Sequence, residues 1–448
     1  MGSFHVTRYL KSVFQTPSDA CYWFGYYNYD PLNIDQSKVL CNRSQFDAVA
    51  IEKGMEIDLG YFDMPDGEWH KIGSTDAFNW QQGAMMQWIP AKERETRIIY
   101  NCSKDNHLIS RIHDINTGKN RDLHYPIYGI TPDGKKSISL NMERAYWCRA
   151  YHYQAVANPQ YDVAVADDDG IYEIDLEKDT CKRIISIQDI INIDREPSFA
   201  KARHWLEHVM ISPTGKRFCF LHRFSYGNIY NYVTRLFVAD IDGSNLQIID
   251  GWRTCRWSHF GWADDDSFVI YTYLAPLTLP GEASVPPSHR VSHSFAQPFK
   301  NTIKRIYQGL LSDETRTRIN KLRHKKTQFY QYYRCESGKY VKQEEWILPE
   351  FSIDGHPSFT SDQRYMVTDT YPDWRDMQHL YFFDRYTHKV LDSGTFRDAL
   401  TGRPGSCDLH PKLCRDGMHV IVDTAFDGHH HLLMFEIDWE SIKKKLKK

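Results

Sequence analysis

Four stretches of this chain begin with a histidine at the same register of the same short pattern. They read His208-Val-Met-Ile-Ser-Pro-Thr-Gly215, His259-Phe-Gly-Trp-Ala-Asp-Asp-Asp266, His356-Pro-Ser-Phe-Thr-Ser-Asp-Gln363 and His410-Pro-Lys-Leu-Cys-Arg-Asp-Gly417. Each holds a short alternating strand and a polar turn. Each then leads into an apolar strand: Arg217-Phe-Cys-Phe-Leu221, Phe268-Val-Ile-Tyr-Thr272, Tyr365-Met-Val-Thr368 and His419-Val-Ile-Val422. Three fainter copies precede them, from Tyr29 to Leu40, Met85 to Tyr100 and Ile127 to Leu140. Third and fourth strands follow, as in Arg235-Leu-Phe-Val-Ala-Asp240 before Leu246-Gln-Ile-Ile249. Units of four short strands spaced by roughly 50 residues indicate a β-propeller. Seven units fit the 448 residues, so the expectation is one all-β, seven-bladed ring over residues 1–448 rather than several domains.

The seventh unit supplies three strands, ending at Leu432-Leu-Met-Phe-Glu-Ile437. Phe4-His-Val-Thr-Arg-Tyr-Leu10 is expected to add the missing outer strand, so that no sheet edge is left open at the seam. Between the second and third strands of the fifth unit, residues 275–326 break the pattern. A Pro/Ser-rich loop there is followed by two helical stretches, Phe299 to Leu311 and Glu314 to Lys326. Ile303, Ile306, Tyr307 and Leu310 share one helical face, while Lys300, Lys304, Arg305, Arg316, Arg318, Lys321, Arg323, Lys325 and Lys326 make the insertion basic. It is expected to form a lid that draws an anionic ligand or makes peripheral contact with a lipid surface; a helix pair packed on the rim is the plain alternative.

Composition narrows the function classes. A formal net charge of −3 argues against a nucleic-acid binder acting by bulk charge. The first residues lack the basic-then-apolar layout of a signal peptide, and no run approaches a membrane span, so a cytoplasmic location is expected. Several of the ten cysteines, such as Cys41, Cys102 and Cys219, fall in or beside strands, where a reduced thiol serves as a small apolar residue. Cys407 and Cys414 flank His410, but their spacing matches no zinc knuckle, which favours a core role.

Equal register in a repeat becomes equal position in space, so His208, His259, His356 and His410 should converge at one mouth of the channel. Second strands exit on that same face, carrying Arg43, the stretch from Asn101 to His107, Arg144, Arg149, Tyr151, His222, Arg223 and Tyr371. Imidazoles from neighbouring blades suit a divalent metal, with Asp354 and Asp408 placed to orient the rings. Arg43, Asn101, His107, Arg144 and Tyr371 are candidates for substrate binding. The run His429-His-His431 reads as a hairpin turn. Arg, Tyr and His around a metal suit abstraction of a proton next to a carboxylate, followed by elimination: a cation neutralises the carboxylate and a side chain takes the proton.

Trp23-Phe-Gly-Tyr-Tyr27, Asn79-Trp-Gln-Gln-Gly-Ala-Met-Met-Gln-Trp88, His204-Trp-Leu-Glu-His208, Phe220-Leu-His-Arg223, Asp354-Gly-His356 and Cys407-Asp-Leu-His-Pro411 add a further signal. With these motifs the chain resembles the seven-bladed propeller polysaccharide lyases of the oligogalacturonate-lyase and ulvan-lyase type. The resemblance implies a metal-dependent β-elimination on uronic-acid-containing oligosaccharides. His208, His259, His356 and His410 would hold a divalent ion (Mn, Zn or Ca), and Tyr151, Arg149, His222 and Arg223 would be the catalytic candidates. A second reading from a different class is a non-catalytic propeller that binds an acidic glycan or a protein partner in envelope or capsular polysaccharide biosynthesis.

Overall fold

In a computed structural model the repeats form seven antiparallel sheets. The structure describes residues 4–447 except 47, 66, 93, 145–152, 154, 155, 157–162, 228–230, 278 and 281–326. The blades span residues 21–75, 87–123, 129–186, 203–248, 255–346 and 358–397; the last spans 412–437 together with Leu10–Gln15. Each of the first six runs from its innermost strand outward in chain order, as a propeller requires. The polar turn between first and second strands repeatedly holds a residue in the left-handed region, among them Gln36, Gly134, Gly215, Gln363 and Gly417. That shared turn chemistry is what makes the repeat visible in sequence. No helix among the described residues is long and apolar enough to cross a membrane.

Two boundaries differ from the sequence expectation. In the first blade the innermost strand is Cys21–Trp23, and Leu32 and Val39 form only an isolated bridge. The cause is local: residues 24–27 are diverted inward, where Tyr26 and Tyr27 pack against the channel histidines, so the chain takes longer to return. The second difference is at the seam. Leu10–Gln15, not Phe4–Leu10, is the outer strand of the seventh blade, paired with His431–Ile437. Phe4–Val6 instead adds a fifth strand to the sixth blade, pairing with Lys389–Arg397. Both segments carry apolar residues, and the further one takes the seam, where Phe14 reaches across to Phe62 of the first blade, with ring centroids 5.2 Å apart. Phe4 stacks on Phe396 at 5.6 Å. One N-terminal segment thus laces two blades.

The fourth blade encloses a polar chain. His204 Nε2 lies 3.0 Å from the Phe199 carbonyl, so it carries the proton and leaves Nδ1 as acceptor. His222 Nε2, 2.9 Å from that Nδ1, must therefore donate, and its own Nδ1 faces Arg235 at 3.4 Å. Arg235 also donates to the Ile190 and Ile193 carbonyls. Its guanidinium lies 4.9 Å from the Phe237 centroid and 5.3 Å from that of Phe199. The chain works only with both imidazoles neutral. Burial, with the nearby arginines, holds His204 down at about 4, and burial drives His222 well below the usual range.

Two tests follow from this packing. Phe14→Ala is expected to cost about 3 kcal/mol as an emptied core position. Lys11→Ala removes only an exposed ion pair with Glu436 and should stay within about 0.5 kcal/mol; shifts in the urea midpoint compare the two. The buried histidines set a pH window. Their folded-state values are depressed, so below about 6.5 the unfolded chain binds protons that the folded chain refuses. The histidines' contribution to stability should be full above that pH and fall by up to about 1.4 kcal/mol per pH unit per histidine as the pH drops toward 4. His222→Gln should reduce that slope by one proton's worth between pH 6.5 and 5, measured as urea midpoints across a pH series.

Candidate functional site

The floor of the site comes from the first blade. Gly25 has φ +121°, and a Cβ there would stand 2.8 Å from the Gln82 carbonyl oxygen, so the tight turn needs glycine. The backbone N–H groups of Phe24 and Gly25 donate to the Asp423 carboxylate at 3.0 and 3.2 Å, which fixes the turn to the seventh blade. Tyr27 then reaches across the channel and donates to the Phe260 carbonyl of the fifth blade at 2.7 Å. Tyr26 packs beside it, ring centroids 4.6 Å apart, and the two rings plug the channel.

On this floor the four histidines converge. Ring centroids are 4.1 Å apart for His259 and His356, 4.4 Å for His356 and His410, and 6.2 Å for His208 and His259. His208 and His410 reach the channel through left-handed backbone, φ +56° and +46°, an uncommon conformation for residues other than glycine. Their hydrogen bonds then divide them. His356 holds Asp369 through both its backbone N–H (2.6 Å) and its Nδ1 (3.0 Å), and the His410 ring is bonded to the Gly25 carbonyl. Nε2 of both rings is buried without a hydrogen-bond partner. Burial and the neighbouring imidazoles push both rings well below the ordinary histidine range, so they are neutral, with free lone pairs at neutral pH. Asp408 stands 4.0 Å from His410 Nε2, on the side of the unpartnered atom rather than behind the ring. Its carboxyl is pushed well up by burial and by Asp369, Asp398 and Asp354.

Donor atoms of His356, Asp408 and His410 lie within 4.8 Å of one another. Ligands about 2.0–2.2 Å from one tetrahedral ion are roughly 3.5 Å apart, so side-chain movements of up to about an ångström bring all three onto one cation. Two orphaned imidazole nitrogens and a carboxyl that resists ionisation alone fit a divalent ion. The other two histidines are engaged elsewhere. His259 Nδ1 faces Asp354 at 3.2 Å, as expected for an orienting carboxylate, and its Nε2 is 3.5 Å from the Tyr371 hydroxyl. His208 lies between the Tyr26 hydroxyl (3.0 Å) and Glu207 (3.5 Å).

A cavity of about 750 Å³ opens above this floor. Of the residues singled out from sequence, the four histidines, Asp354, Asp408, Arg223 and Tyr371 line it. Arg223 donates to Glu207 at 2.5 Å. His222, one residue away on the same strand, faces inward into the polar chain of the fourth blade, because neighbours on a strand point to opposite faces. Arg43 pairs with Asp19, Asn101 spans blades two and three through Ile127 and Tyr153, His107 is exposed beside Glu143, and Arg144 is buried against the Ala164 and His204 carbonyls. None of these four lines the cavity. Arg149 and Tyr151 lie outside the described residues, as does the body of the insertion. Its two ends, Leu274 with Ala275 and Thr327 with Gln328, form part of the cavity wall. Cys407 and Cys414 are buried thiols, and His430 packs against Trp80 with centroids 5.1 Å apart. Tyr26 and Arg256 line the cavity without having been singled out. Tyr26 stood in the quoted Trp23–Tyr27 motif, whereas nothing in the repeat marks Arg256.

No protein-family model matches the sequence, and no curated protein matches it. Solved structures do. An oligogalacturonate lyase in complex with manganese superposes with a TM-score of 0.59 at 14% identity, covering 98% of each chain. An oligogalacturonate lyase from Vibrio parahaemolyticus gives 0.58 at 13% identity, covering 97% of this chain and 96% of that one. Similarity extends to the tricorn protease, at a TM-score of 0.47 over 34% of that chain. The chain has the seven-bladed propeller fold seen in oligogalacturonate lyase.

Proposed function

We propose that the cavity is the active site of a lyase that cleaves uronate-containing oligosaccharides by β-elimination, with a divalent cation held by His356, Asp408 and His410. The observation that carries this reading is the pairing, on one floor, of orphaned imidazole nitrogens with a carboxylate-oriented imidazole. The manganese complex of the similarly folded lyase adds support. When bound, the cation would supply positive charge to the substrate carboxylate and so acidify the adjacent C–H. The protein's own groups account for the rest. Asp354, accepting from His259 Nδ1, leaves Nε2 as the acceptor for the C5 proton. As that C–H breaks, its electron pair forms the C4=C5 double bond, the C4–O bond breaks, and the departing oxygen takes a proton from water or from the neighbouring Tyr371 hydroxyl. Tyr26 and Tyr27 close the floor beneath the reacting atoms.

Release of an unsaturated uronate, followed by its ultraviolet absorbance across uronate oligosaccharides with added Mn, Zn or Ca, tests the reaction; no absorbance rise with any of them would defeat it. The division of labour makes a second forecast. His356→Ala, His410→Ala and Asp408→Ala should each strip metal, and a double variant should lose little more than a single one, because one missing ligand already compromises the shared site. His259→Ala should instead keep metal and lower turnover by about 10²–10⁴-fold. Elemental analysis beside the absorbance assay separates the two groups, and metal loss in His259→Ala would return that ring to the ligand set.

A further inference from the structure

We propose that Arg256 is the residue that recognises the carboxylate of the bound sugar, and that Arg223 is not. This rests on the uronate reading of the cavity and names the group within it that reads charge. Arg223 is 3% exposed and bonded to Glu207, which is fully buried and also accepts from Trp205 Nε1 at 2.6 Å. Turning Arg223 toward a ligand would strand a buried carboxylate, a loss comparable to what a new ion pair returns. The wall at Arg223 is therefore electrically neutral. Arg256, at the start of Cys255–Asp264, is exposed and has no carboxylate within ion-pair distance among the described residues.

Its position is nevertheless defined. The guanidinium lies 4.5 Å from the ring centroid of Tyr232, which also carries Arg223 at 4.4 Å. Stacking occupies the face of a guanidinium and leaves its N–H edges for a planar, bidentate partner such as a carboxylate. Arg256 lines the same cavity as His259, three residues further along, and pairs across the sheet with Tyr273, whose hydroxyl donates to Asp354. A sugar carboxylate held at Arg256 is thus recognised on the strand that also carries the proposed proton acceptor.

Equilibrium binding of trisaccharides of galacturonate, glucuronate and mannuronate, each beside its methyl ester, with a sulfated neutral trisaccharide as a further arm, tests this on the metal-loaded full chain. Wild type should prefer at least one acid over its ester. Arg256→Gln should weaken that acid about ten- to hundredfold and leave the ester unchanged, with Arg256→Lys intermediate. Thermal melts should be unaltered, since the side chain is exposed. Retained discrimination in Arg256→Gln, or its loss in Arg223→Gln alone, overturns the assignment while leaving the uronate reading in place. Preference for the sulfated neutral sugar overturns the carboxylate class. Wild type binding no acidic sugar overturns the uronate reading itself, and this inference with it.

Discussion

The carboxylate of Asp423 ties the centre of this molecule together. It is buried on the seventh blade and accepts two backbone N–H groups from the first, at Phe24 and Gly25. Those bonds force the tight turn that sends Tyr26 and Tyr27 into the channel. The tyrosines in turn fill the space under the histidines: Tyr26 lies 5.0 Å from the His410 centroid, and Tyr27 lies 5.0 Å from that of His356. Without that floor the imidazoles would border an open water channel, and the burial that keeps them neutral would be gone. Burial pushes the Asp423 carboxyl well up even with two donors, so the clamp is one of hydrogen bonds more than of charge.

The cavity is electrically uneven. One side carries Asp354 and Asp408 beside His356 and His410, whose imidazoles burial keeps neutral; Asp369, behind His356, is raised to about 6 by the same burial. The other side carries two guanidiniums on one tyrosine ring, one of them neutralised by Glu207. Asp369 and Asp408, whose carboxyls burial pushes up, are stabilised as anions by a cation, whereas an exposed guanidinium is stabilised by an anion. Such a pocket favours a ligand pair of opposite sign over either member alone.

The ring and the meeting of the histidines were legible because a repeat converts register into position, and the polar turns mark register even where strands are short. What escaped was set by contacts that a single strand does not encode. Phe4–Val6 alternates cleanly whereas Leu10–Gln15 has adjacent apolar residues at 13 and 14 and an irregular register, yet the reach of Phe14 to Phe62 makes the second segment close the ring. Asp354 and Asp408 look alike two residues before a histidine, yet one faces Nδ1 and the other lies toward Nε2. His222 and Arg223 could have been separated in advance, since the period of two in a strand lets only one of them face the cavity. Arg256 carries no sequence mark; what sets it apart is the acid that Arg223 has beside it and that Arg256 lacks among the described residues.

The lacing of the N-terminal segment has a consequence for how the chain is made. Residues 4–15 leave the ribosome well before their partners, Lys389–Arg397 and His431–Ile437, which emerge roughly four hundred residues later. Blades one to five can collapse as they appear, each on its predecessor. The N-terminal strands stay unpaired until blades six and seven appear, where Phe4–Val6 adds a fifth strand to a blade that has four of its own and Leu10–Gln15 supplies the fourth strand of the last. During that interval the segment from Phe4 to Phe14 is an exposed β-edge in search of a partner, the stage at which a chaperone or a second nascent chain could capture it.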